Sequence, residues 1–229
     1  MFENRRISLA AAMFVMVAAS ARAQLPGAPV LQNAWVGRGF VGAFNLGGGS
    51  GEAVYAGALS WAPASGWFQV SAGVGGQTVT GDDDDDGGRV AYGFRVAMPI
   101  IGIDRSFGFG VFAGVGGGGP RGLFVSTFTG DTLARQSPPT RIPVGASFGW
   151  RRLTGNGRGL SLYAAPSCLF LTGEGAKAAL FRAGLGADLG LGESFGLTGG
   201  LELGQNRSGV GGPSGTIYGL GISYAFGRP

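Results

Sequence analysis

The chain has 229 residues, a length that suits one all-β domain or barrel without a second domain. Glycine supplies 49 of them, which excludes a helical protein, because each interior glycine costs about 1 kcal/mol relative to alanine. The absence of a three-residue period excludes collagen, and a content of 45% hydrophobic against 13% charged residues excludes a disordered chain. The formal charge of +4 is scattered rather than clustered, which argues against a nucleic-acid partner.

Residues 1–23 read as a secretory signal peptide. Arg5 and Arg6 supply a positive start, 7–20 is an apolar run too short to span a membrane as a helix, and Ala21-Arg22-Ala23 is a small-x-small cleavage site. Residues 24–34 contain two prolines and little pattern, and are expected to form a periplasmic N-terminal lead-in. From 35 to 229 the chain reads as one unit of about ten strands: 39–46, 52–61, 67–77, 89–100, 105–115, 140–152, 160–171, 178–191, 194–204 and 216–226.

Alternation with a period of two recurs through most of these segments. In 178–191 it sets Phe181, Ala183, Leu185, Ala187, Leu189 and Leu191 against Arg182, Gly184, Gly186, Asp188 and Gly190. In 140–152 it sets Ile142, Val144, Ala146, Phe148 and Trp150 against a face of arginine, proline, glycine and serine. The first two segments alternate poorly, which leaves eight strands open as a count. Connections alternate between short (62–66, 102–104, 153–159, 192–193) and longer or more polar (47–51, 78–88, 116–139, 172–177, 205–215). That asymmetry is expected of a barrel with tight turns at one rim and loops at the other. Trp35, Trp61, Trp67 and Trp150 all fall near the short-turn rim, as an aromatic girdle would.

The last segment is apolar and aromatic on one face and small on the other, and it ends in Gly221-x-x-Tyr224-x-Phe226 shortly before Pro229. This pattern resembles the C-terminal assembly signal of bacterial outer-membrane β-barrels. With the leader, the alternation and the loop asymmetry, it makes residues 35–229 similar to the small barrels of the OmpA-like and OmpX-like group. The resemblance implies an antiparallel transmembrane β-barrel in the bacterial outer membrane, reached through the periplasm, with outer-membrane lipids, lipopolysaccharide and the barrel assembly machinery as partners; the residues leave the oligomeric state open, with a monomer expected. A secreted soluble β-sandwich is the competing fold, but its water-facing side should carry more charge than these glycine, alanine and serine faces do.

Catalytic strings are present only by composition. Gly145-Ala146-Ser147-Phe148-Gly149 matches G-x-S-x-G, yet the chain has no histidine and no helix pattern follows. The run from Gly114 to Gly119 matches G-x-G-x-x-G but leads into Pro120, and is expected to open a flexible loop. Barrel proteases and lipid-modifying barrels generally use a histidine, so no enzyme and no cofactor are expected. Asp82, Asp83, Asp84, Asp85 and Asp86 form a carboxylate run that hard cations would accept, although its spacing is that of a solvated loop tip rather than a calcium loop. Cys168 falls on the apolar face of its strand and has no disulfide partner.

The inward faces carry Arg95, Arg141, Arg151, Arg182, Asp188 and Glu202, with Asn45 and Gln69. Arg182 is expected opposite Glu202, as a cross-strand ion pair inside the barrel. Two roles follow for this set: pinning a narrow lumen in a structural or surface-interaction barrel, or forming the constriction of a narrow, weakly anion-favouring channel for small solutes.

Overall fold

A computed structural model describes residues 38–49, 52–79, 89–102, 106–118, 124–125, 132–133, 140–154, 158–173, 178–204 and 216–226. The leader and lead-in, Trp35, the Asp82–Asp86 run and most of 116–139 lie outside the described residues.

The strands are β1 (Gly39–Gly49), β2 (Glu52–Ala62), β3 (Gln69–Val79), β4 (Arg89–Ile101), β5 (Phe107–Gly118), β6 (Phe124–Val125), β7 (Thr132–Leu133), β8 (Thr140–Leu153), β9 (Arg158–Thr172), β10 (Ala178–Leu191), β11 (Phe195–Gly204) and β12 (Ile217–Phe226). Among the described residues there is no helix. Ten of the strands close into one antiparallel barrel in the order β1-β12-β11-β10-β9-β8-β5-β4-β3-β2, while β6 and β7 pair only with each other. The barrel strands run from 10 to 15 residues. That is long enough for a tilted crossing of a hydrocarbon layer, which needs about 9–11 residues.

Every barrel strand matches one of the ten segments read from the sequence, and the count of ten is settled by closure. β1 pairs with β12 from Phe40↔Phe226 to Gly48↔Tyr218, and with β2 from Gly39↔Ala62 to Gly49↔Glu52. A soluble sandwich is displaced, because its two sheets are here a single closed one. β1 and β2 alternate weakly in sequence because Val41, Ala43, Val54 and Ala56 are apolar residues on the inward parity, with Val54 and Ala56 buried.

Three boundaries differ from expectation. The connection expected over 47–51 shrinks to 50–51, because Gly47, Gly48 and Gly49 keep pairing with β2. Glycines 114, 116, 117 and 118 are not a loop start. They extend β5, paired with β4 from Arg95↔Gly114 to Ala91↔Gly118, and with β8 at Gly116↔Arg141. Trp67 precedes β3 rather than opening it. It follows a tight turn in which the Gly66 N–H donates to the Pro63 carbonyl at 2.8 Å, with Gly66 at φ 64°. Only glycine takes that left-handed conformation without a steric cost.

Sidedness is the reverse of a water-soluble protein. Arg95, Arg141 and Arg182 are 5%, 3% and 4% exposed, whereas Phe107 and Leu220 are 70% and 66% exposed. The outer wall is a continuous apolar surface far larger than the patches soluble monomers present to water. It is the wall a barrel presents to lipid.

Ile222 sits at mid-strand in β12, on that wall, opposite Phe44. Ile222→Arg is expected to destabilise the barrel in lipid vesicles by about 2–4 kcal/mol, read by urea unfolding, since this is the cost of arginine at a bilayer midplane. A soluble protein would show a change within about 0.5 kcal/mol at so exposed a site.

Candidate functional site: the lumen and its rims

The interior of the barrel is built from the inward parity of each strand. Most of those positions are glycine, alanine or serine, so a few larger groups fill the space. At mid-strand, β4 supplies Arg95, β5 supplies Phe112 and β9 supplies Tyr163, all buried. The Arg95 guanidinium carbon lies 4.1 Å from the centre of the Phe112 ring, a cation–π contact inside the lumen. Ala97, Phe112 and Ala165 form an apolar cluster across three strands.

Glycine makes this filling sterically feasible. A Cβ added at Gly145 would lie 2.7 Å from the tip of the Phe112 ring, and one at Gly186 would collide with the Tyr163 hydroxyl. The two aromatics occupy space that a side chain on the neighbouring wall would claim. Gly145 therefore belongs to the G-x-S-x-G string for packing, and Ser147 and Gly149 are inward, buried positions of β8, not parts of a nucleophile elbow.

Arg182 and Glu202 meet as expected, but by a different register. The Cα partners are Arg182↔Gly204 and Gly184↔Glu202, so the pair is diagonal. Arg182 reaches across because Gly204 opposes it: a Cβ there would stand 3.1 Å from the guanidinium. The contact runs from Arg182 Nε to Glu202 Oε1 at 2.5 Å, with the side chains 5% and 13% exposed. On the same two strands, nearer the short-turn rim, the Thr198 hydroxyl donates to an Asp188 carboxylate oxygen at 2.5 Å, and these two residues are direct cross-strand partners. Gln69 donates from Nε2 to the Ser60 hydroxyl at 3.2 Å.

Arg141 and Arg151 share the inward face of β8, Arg141 toward the long-loop end and Arg151 toward the short-turn end. Arg95, Arg141, Arg151 and Arg182 thus face inward together with Asp188 and Glu202. Arg95 leaves Nε and Nη2, and Asn45 leaves its whole amide, without a protein partner among the described residues. Buried polar groups of this kind call for hydration.

Phe112 and Tyr163 belong to no motif. Their signal is contrast: Phe112 shares its face with Gly108, Gly110, Gly114 and Gly116, and Tyr163 shares its face with Ser161, Ala165 and Ser167. Each is the one ring on its inward face, and only β9 adds further bulk there, at Leu169 and Leu171 toward the long-loop end.

Aromatic side chains gather at the short-turn rim. Trp61 contacts Phe40 at 6.5 Å and Phe68 at 5.7 Å, Trp67 contacts Phe68 at 4.3 Å, and Phe109 contacts Phe148 at 5.1 Å between ring centres. Trp150 lies two residues beyond Phe148 on the outer face of β8. Tyr224 contacts Phe195 at 4.9 Å and Phe226 at 5.0 Å at the aromatic end of β12, while Gly221 faces inward. Cys168 is exposed on the outer wall, as its parity requires.

No family model matches the chain, and no curated protein matches it. Among solved structures it is similar to the beta domain of the Bordetella autotransporter Brka, at 15% identity and a TM-score of 0.47 over 82% of this chain and 99% of that one. It is also similar to a porin, at 14% identity and a TM-score of 0.33 over 84% of this chain and 60% of that one. Neither likeness bears on function.

Arg182→Met removes the cation from this buried contact with Glu202 and is expected to cost about 3 kcal/mol of unfolding free energy. The double variant Arg182→Met/Glu202→Gln is expected to regain most of that loss. Urea unfolding in lipid vesicles, followed by tryptophan fluorescence, checks both values.

Proposed function

We propose that this chain is a bacterial outer-membrane β-barrel whose lumen is held shut by its own side chains, and whose role is structural or surface-facing, with no catalytic turnover. The observation that carries the reading is the mid-strand filling by Arg95, Phe112 and Tyr163, flanked toward the long-loop end by the Arg182–Glu202 pair. Small barrels of about eight strands have interiors just wide enough for side chains to fill, and ten strands add little. The outer wall supports the membrane setting, and the aromatic side chains at the short-turn rim support an interface there. The chain contains no histidine, the usual proton-transfer group of barrel hydrolases. Tyr224 and Phe226, adjacent on the outer face of β12, are the residues offered to the barrel assembly machinery.

One observation favours a second reading, a narrow anion-favouring channel. Arg95, Arg141, Arg151 and Arg182 face inward together with Asp188 and Glu202, and Arg95 keeps unpartnered donors at mid-barrel among the described residues. Such donors suit a hydrated path along which an anion passes.

Planar-bilayer recording separates the two. The refolded wild type is expected to stay silent, whereas Phe112→Ala/Tyr163→Ala is expected to open steady, anion-preferring conductance that Arg95→Ala then weakens in selectivity. Steady conductance by the wild type would replace the closed barrel with the channel.

A further inference from the structure

The outer wall of β8, β9 and β10 has a groove of roughly 600 Å³ at the short-turn rim. Its side chains are Arg152 and Thr154 beside Trp150 from β8 and the residue after it, Arg158 and Leu160 from β9, and Leu189 and Leu191 from β10. All have the outward parity of their strands, so the groove opens toward the lipid and not toward the lumen.

Its polarity runs along the barrel axis. Register places Arg152 beside Leu160, Leu160 beside Leu189, and Arg158 beside Leu191. The two guanidiniums therefore stand at the rim, and leucines and the Trp150 ring rise from them into the apolar wall. The hairpin fixes their spacing: the Thr154 N–H and hydroxyl both donate to the Arg158 carbonyl, at 2.9 and 3.3 Å. Neither arginine is paired with a carboxylate among the described residues. The other described basic residue on the outward parity is Arg38, alone at the same rim and four strands away around the barrel from β9.

Two unpaired cations on a lipid-facing wall are unfavourable unless an anion meets them there. The chemistry that satisfies both ends of the groove is a phosphate joined to hydrocarbon. We propose that this groove binds one anionic glycerophospholipid from the leaflet at the short-turn rim. Arg152 and Arg158 hold the headgroup phosphate, and an acyl chain lies along Leu160 and Leu189 beside the Trp150 ring. The inference rests on the membrane setting proposed above.

Native mass spectrometry tests it, with the chain refolded in micelles containing equimolar phosphatidylglycerol and phosphatidylcholine. Folding of each sample is scored independently by the mobility difference between boiled and unboiled protein. The wild type is expected to retain one phosphatidylglycerol in preference. Each basic residue near an anionic lipid surface weights binding about fivefold, so Arg152→Gln/Arg158→Gln is expected to lower the lipid ratio roughly 25-fold. Arg38→Gln, which removes one charge at the same rim outside the groove, is expected to leave the ratio unchanged. Equal retention of the two lipids by the wild type, an equal loss in Arg38→Gln, or a second copy of the chain in place of lipid overturns the site. A wild type without the mobility shift overturns the membrane setting and the site with it. A shifted wild type without lipid preference overturns the site alone.

Discussion

Closure of the sheet through β1 and β12 is the constraint on which the rest of this structure depends. Each strand in an open sheet has an edge of unpaired N–H and C=O groups, and hydrocarbon offers those groups no partner. Pairing from Phe40↔Phe226 to Gly48↔Tyr218 removes both edges at once. With the backbone satisfied inside the sheet, the outer wall is free to be apolar, and the polar side chains are confined to the interior. The exposed leucines and phenylalanines and the buried arginines are two consequences of one closed ladder.

A closed barrel of this size then has to fill its own interior. Glycine and alanine keep the inward faces thin, and the space is divided among few large groups. Phe112 fits because Gly145 has no side chain, Tyr163 because Gly186 has none, and Arg182 reaches Glu202 across Gly204. The high glycine content is thus part of the packing. It also explains why strings that resemble catalytic or nucleotide-binding motifs are scattered through the chain with no helix among the described residues to support either chemistry. The buried ion pair adds little net stability, since burying both charges costs about as much as their attraction returns.

The outer wall is graded along the barrel axis. Its middle is aliphatic and aromatic, its short-turn rim carries two ring clusters, Phe40–Trp61–Phe68–Trp67 and Phe195–Tyr224–Phe226, and Arg38, Arg152 and Arg158 lie at that rim's edge. Amphipathic rings and long basic side chains have their apolar parts in hydrocarbon and their polar ends toward headgroups.

The period-two pattern determined by itself which segments are strands, which residues face outward, and which rim holds the short turns, because strand side chains alternate whatever the partner strand is. From that parity Arg95, Arg141, Arg182, Asp188 and Glu202 were legible as interior, whereas Trp61, Trp67 and Trp150 were grouped by their nearness to the short-turn rim. Parity failed only where apolar residues face inward, in β1 and β2, and where glycine runs such as 114–118 gave no contrast between strand and loop. Register and closure were decided by the tertiary structure. They bring Arg95 to Phe112, make the Arg182–Glu202 contact diagonal, and place Arg152 and Arg158 beside Leu160 and Leu191. These groups come from different strands, and their meeting depends on the stagger of each ladder, which many residues set together and no single segment encodes.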